Sequence, residues 1–243
     1  MFGSPRALRA TLLKLGGLAA AAAAVTLWWW PGGPGDPMLL LLGRSPSEDA
    51  GAVRSCARAA VAEAGRRGMV LKVGMVGRHA HAQLATIDMH AKAWSTKQTA
   101  VKRADAQRTA IATVERVMNA PPPSPGASDQ VAALSVAARH LRSLDLAEDA
   151  RPMVVLCADG HAVGPKYNLY RDRPTPELAA TVAGEPVPGH VDLVFGAAGL
   201  DVEEPVSARR EELIERFWRR LALDELGFAT IAYDQEPVFP RVE

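Results

Sequence analysis

Cysteine is scarce in this chain. Cys56 and Cys157 are too few for a disulfide framework and have no metal-ligand spacing. Buried free thiols are the expectation, with a single bridge between them left open if the domain is exported. Aromatic residues make up only 5% of the sequence and the net charge is +1, from 28 basic and 27 acidic residues. That composition provides neither stacking surfaces for bases nor a basic field for phosphate backbones, so nucleic acid is not an expected partner. The stretch His161-Ala-Val-Gly-Pro-Lys166 lacks the spacing and the closing Lys-Ser/Thr of a phosphate loop. Also missing are a nucleophile elbow, paired catalytic carboxylates and a zinc-binding helix motif. A hydrolase built from Asp159 and His161 is therefore the weakest of the functional alternatives. His79 and His81 would share one face of a strand, but no third ligand follows at a recognisable spacing, and they read as solvated residues of a connector.

What is present is an ordinary globular composition, 48% hydrophobic and 23% charged over 243 residues, enough for one α/β domain plus an attachment. Arg6, Arg9 and Lys14 precede an apolar run from Leu15 to Trp30 that ends in three tryptophans. Positive residues ahead of such a run hold the amino end in the cytoplasm, and tryptophan suits a membrane interface. Residues 1–30 are read as a signal anchor, or as a signal peptide if the segment is cleaved, and residues 31–37, Pro-Gly-Gly-Pro-Gly-Asp-Pro, as a linker. Residues 38–243 then form the extracytoplasmic domain of a single-pass cell-membrane protein, or a secreted domain after cleavage.

Within that domain the organising stretch is Met153-Val-Val-Leu-Cys-Ala-Asp159-Gly160. A short continuous apolar run bounded by turn residues predicts a strand buried on both faces, with Asp159 at its carboxyl end. Met38 to Leu42 has the same character. It leads through Gly43-Arg44-Ser45-Pro46-Ser47 into a helix with Ser47 as N-cap, an apolar stripe of Val53, Ala57, Ala60, Val61 and Ala64, and Gly68 as its end. Met69–Val76 reads as a strand and Leu84–Met89 as an edge strand. Helices are expected over Ser95–Asn119, with Ile111, Val114, Val117 and Met118 as the apolar face, and over Ser128–Leu144. Pro176–Ala183 predicts a short helix, Val191–Phe195 a strand, Glu211–Leu221 an amphipathic helix and Phe228–Tyr233 a last strand. Phe217 and Trp218 are assigned to the core rather than to a binding stripe. Strands alternating with helices indicate βαβ units, hence a doubly wound, mainly parallel sheet with helices on both faces, in which the Met38 and Met153 strands lie side by side at the centre.

Three loops, Gly43-Arg-Ser-Pro-Ser47, Ser128-Asp129 and Ala158-Asp159-Gly160, follow one another in an order and spacing that resembles the von Willebrand factor type A domain, in particular a group of secreted or membrane-anchored bacterial members. The resemblance implies a doubly wound α/β domain that holds a divalent cation, usually magnesium, through an Asp-x-Ser-x-Ser loop, a threonine and a Thr-Asp-Gly turn. Carried over residue by residue, Ser45 and Ser47 match the serines, Ser128 stands for the threonine and Asp159 matches the second aspartate. Gly43 occupies the place of the first. With one carboxylate missing and Arg44 adjacent, the cation site reads as degenerate, and Asp129 compensates only if its side chain turns inward. The implied function is a membrane-anchored, extracytoplasmic protein-binding module with a partner in the cell envelope and no required cofactor. The alternative is a magnesium-dependent domain using Ser45, Ser47, Ser128 and Asp159.

Overall fold

A computed structural model describes residues 35–45, 48–76, 83–90, 95–120, 128–200 and 207–241. The segment expected to be an anchor, most of the expected linker, Ser47, His79 and His81 lie outside the described residues. No helix among those described is long and apolar enough to cross a membrane.

The compact unit starts at Gly35. Its strands are β1 (Pro37–Leu42), β2 (Val70–Met75), β3 (Gln83–Asp88), β4 (Met153–Cys157), the two-residue strands β5 (Val163–Gly164) and β6 (Tyr167–Asn168), β7 (Asp192–Gly196) and β8 (Thr230–Tyr233). The helices are α1 (Ala50–Arg67), α2 (Thr96–Asn119), α3 (Gln130–Arg142), α4 (Pro176–Val182) and α5 (Ala208–Arg219), the last continued by one π-helical stretch, Arg220–Glu225. Six strands form one sheet in the order β3-β2-β1-β4-β7-β8. Every pairing is parallel except β2 with β3, which is antiparallel and places β3 at an edge. β5 and β6 form a separate small hairpin.

The two uniformly apolar strands are central, as their composition requires, because each needs cover on both faces. Alternation along β1 shows how this works. Met38, Leu40 and Leu42 pack with residues of α1 and α2, whereas Leu39 and Leu41 face the core formed with α3, α4 and α5. Phe217 and Trp218 are buried in the second of these layers, as core residues should be.

Two expectations are corrected. Cys56 and Cys157 are joined in a disulfide that ties α1 to β4 rather than lying as free thiols. The N-cap of α1 is Asp49, which accepts from the amides of Gly51 and Ala52 at 2.7 and 3.0 Å. Gly68 closes the helix in the left-handed region, φ 67°, as expected of a C-terminal glycine.

Candidate functional site

From β1 the chain winds outward through α1 to β2 and β3, whereas from β4 it winds the other way to β7 and β8. The winding therefore reverses between the carboxyl ends of β1 and β4, and in open α/β sheets the loops diverge there to leave a crevice. The loops from both strands are held close. The Gly43 amide donates to the Cys157 carbonyl at 2.8 Å, and the Ala158 amide to the Gly196 carbonyl at 3.1 Å.

Asp159 stands on this edge and is buried. Its Oδ1 accepts from Gln130 Nε2 at 3.1 Å and from the His161 amide at 2.9 Å, while Oδ2 accepts from the Tyr170 hydroxyl at 3.1 Å. Gly160 follows at φ 84°, and a side chain there would run into the Tyr233 hydroxyl. Its carbonyl accepts from Trp218 Nε1 at 2.8 Å, which fastens the turn to α5. His161 is enclosed beneath. Its ring stacks on Tyr170 with centroids 5.0 Å apart, and its nitrogens lie 3.9 Å from Asp159 Oδ2 and 3.7 Å from Glu211 Oε2. The Tyr233 hydroxyl donates to Glu211 at 3.0 Å, and burial, reinforced by that carboxylate, holds its ionisation well above the usual phenol range.

The largest departure from the sequence reading is Glu48. Its carboxyl group lies over Gly43, so that a Cβ at Gly43 would stand 2.5 Å from the carboxyl carbon and 2.7 Å from Oε2. The Ser45 amide donates to Glu48 Oε2 at 2.7 Å and the Ser128 hydroxyl to Oε1 at 3.3 Å. Gln130 Nε2, already on Asp159, lies 3.5 Å from Ser128 Oγ. Burial raises the Glu48 pKa well above the usual carboxyl range. The negative charge of Asp159 raises it further, against the Ser45 amide and the Ser128 hydroxyl, which favour the ionised form. The edge is thus not short of a carboxylate. A second one arrives from a different position.

The other expected residues divide. Ser128 and Asp159 are brought together, with the Ser45 backbone beside them. The Arg44 guanidinium donates to the Val117 carbonyl near the end of α2. Asp129 does not turn inward, for it caps α3 through the Ala132 amide at 2.9 Å and accepts from the Tyr167 hydroxyl at 2.7 Å. Among the described residues no group of three His, Cys, Asp or Glu side chains is arranged to hold a metal. The oxygen groups at the edge are two carboxyl groups, a hydroxyl and an amide, which would suit a hard cation rather than zinc or copper. Sequence reasoning missed Glu48, Gln130, Tyr170 and Glu211. The one signal available was an acid placed five residues beyond a glycine that stands where a carboxylate is usual. On the far side of the Ser128–Gln130 turn lies a groove of about 440 Å³ with Val131, Ala132, Val136 and Val182 in its lining and Arg139 and Lys166 as its cations.

No protein-family model and no curated protein matches the chain. Among solved structures, a crystal structure of manganese-loaded Plasmodium vivax TRAP protein is similar at 18% identity, with a TM-score of 0.42. The match covers 74% of this chain, which spans 62% of that one.

Proposed function

We propose that the chain is a membrane-anchored, extracytoplasmic protein-binding module of von Willebrand A type that takes its partner at the carboxyl edge of β1 and β4. The observation that carries this reading is the buried polar group at the reversal of winding, where Glu48, Ser128, Gln130 and Asp159 are joined by hydrogen bonds in an otherwise apolar core. The neighbouring groove, which mixes apolar residues with Asp129, Arg139 and Lys166, begins at the same Ser128–Gln130 turn and suits a protein surface. The His161 side chain packs between Asp159, Glu211 and the Tyr170 ring, and no nucleophile elbow or second catalytic base accompanies it in the sequence, which disfavours a hydrolytic role. The apolar segment Leu15–Trp30 supplies the anchor, and the disulfide fits an oxidising compartment outside the cytoplasm.

A second reading makes partner capture magnesium-dependent, and the position of Glu48 favours it. The test is capture from cell-envelope extract by the full chain, with magnesium and with chelator, alongside an Asp159→Asn variant checked for native circular dichroism. Proteins retained by the native chain and lost by the folded variant are expected. Equal retention by both overturns the assignment of the edge. Loss on chelation selects the second reading.

A further inference from the structure

We infer that the groove beside the Ser128–Gln130 turn is a peptide-binding site, and that it takes an extended segment of the partner with apolar side chains in the middle and a carboxylate toward each end. This rests on the reading of the chain as a protein-binding module and names the chemistry of what it binds. The first ground is shape. Val131, Ala132, Ser135, Val136 and Arg139 line the groove at helical spacing, so one face of α3 is its floor. From Val131 to Arg139 the floor runs about 12 Å, a length that an extended chain covers in about four residues. The walls are the β5–β6 turn and the end of α4. The first wall is fastened to the start of α3, because the Tyr167 hydroxyl donates to Asp129 at 2.7 Å and the Val163 amide to the Ser128 carbonyl at 3.0 Å. Gly184 lets the second wall come close, since a Cβ there would collide with Ser135 Oγ.

The second ground is the set of polar groups that the lining leaves for an occupant. Its hydroxyls already place their protons elsewhere, Ser135 on the Val131 carbonyl at 3.1 Å and Thr181 on the Glu177 carbonyl at 2.8 Å. Burial holds the Tyr167 phenol far above its usual ionisation range, so it stays a donor to Asp129. Asp129 is the one acid of the lining, and the Ala132 amide and the positive end of α3 answer its charge. The donors left over are the side chains of Arg139 and Lys166, both exposed and neither with a hydrogen-bond or ion-pair partner among the described residues. They are rooted at opposite ends of the floor, Lys166 on the turn fastened to the start of α3 and Arg139 in the last turn of that helix. Apolar surface between two unpaired cations is complementary to apolar side chains between two carboxylates.

The experiment is selection of random heptapeptides on the full chain held in lipid nanodiscs, followed by fluorescence anisotropy of the enriched peptides. Enriched sequences should carry acidic residues on both sides of apolar ones. Arg139→Glu combined with Lys166→Glu should weaken their binding at least about tenfold, and the same variant used as bait should enrich basic residues in place of the acidic ones. Val136→Trp, which fills the floor, should bind neither set. Circular dichroism checks the fold of each variant. No enrichment by the native chain overturns the inference, as does a consensus without acidic residues or one that the groove variants bind unchanged. Octanoate binding with no peptide enriched assigns the groove to a small carboxylate and refutes the peptide. Asp159→Asn separates this proposal from the assignment of the edge. Peptides lost by that folded variant and kept by the groove variants leave the edge as the binding surface and refute the groove, whereas the reverse pattern keeps the groove and removes the edge.

Discussion

Glu48 and Glu63 are both acids with an arginine within four residues, yet they pull stability in opposite directions with pH. The Glu63 carboxylate is held below its usual pKa, chiefly by its hydrogen bond from Arg66, with Arg67 also on it at 2.6 Å. Its contribution is present above the unfolded value and is lost as pH falls through the folded one. Glu48 is the reverse case. Its folded pKa is raised, so between the unfolded value and the folded one the native state holds a proton that the unfolded chain has released. The resulting stability is complete below the unfolded pKa, about 4.3, and drains away as pH rises through the folded pKa. In magnesium-free buffer the melting temperature should therefore decline above that lower limit, and Glu48→Gln should flatten the decline. A native profile that rises throughout this range contradicts the assignment. Asp159 was legible because an apolar run stops at it. Glu48 was not, because no local pattern reports that a side chain will fold back over a glycine five residues earlier. The same limit hid the role of Gly160, read as a turn but also required by Tyr233. Gly160→Ala should cost about 1–3 kcal/mol in chemical unfolding, since it combines φ 84° with a collision against the Tyr233 hydroxyl.

Among the elements, α2 shows how far periodicity can be taken. Its expected apolar residues, Ile111, Val114, Val117 and Met118, all fall in the second half, and that half is what packs on α1. Arg58 pairs with Glu115 at 2.6 Å and Arg54 reaches Asn119 at 3.1 Å, so the two helices run antiparallel and a step of four along one matches a step of four back along the other. Continued in that register, the last residue of α1, Arg67, lies level with Ala106. The preceding ten residues of α2, roughly 15 Å of helix, pass beyond the end of α1, and their side chains are exposed apart from half-buried Thr99. Amides of residues 100–105 should accordingly exchange with solvent at least about tenfold faster than those of 111–117, because little tertiary packing opposes local opening. Uniform protection along the helix would mean that this half has a covering surface. Two elements were not legible. The β5–β6 hairpin is too short to show alternation, and the π-helical continuation of α5 carries no distinct composition, as its Leu221 and Ala222 simply prolong the apolar stripe.

At the level of the whole molecule, the central pair of strands could be read because Met38–Leu42 and Met153–Cys157 are apolar at every position and so must be interior, and β3, with Thr86 and Asp88, could be read as an edge. The pairing of the cysteines could not, because it depends on where α1 lies across the sheet. The helix crosses so that Cys56 meets Cys157 with their Cα atoms 5.7 Å apart, and neighbouring Gly196, whose missing Cβ would lie 3.1 Å from Cys56 Cβ, leaves space for the bridge. The bond closes 101 residues of sequence, from the first helix to the central strand that ends at Asp159. Closing a loop of that length removes enough freedom from the unfolded chain to contribute about 4.7 kcal/mol on the chain-entropy estimate. For a domain of this size that corresponds to roughly 10 °C or more in melting temperature. The full chain isolated from an oxidising compartment should show no reactive thiol when denatured without reductant. Cys56→Ala combined with Cys157→Ala should melt lower by that margin, and chain retained in a reducing cytoplasm should match the variant rather than the native protein. Two titratable thiols in the exported, denatured protein would remove the bridge, and with it the main physical support for placing the domain outside the cytoplasm.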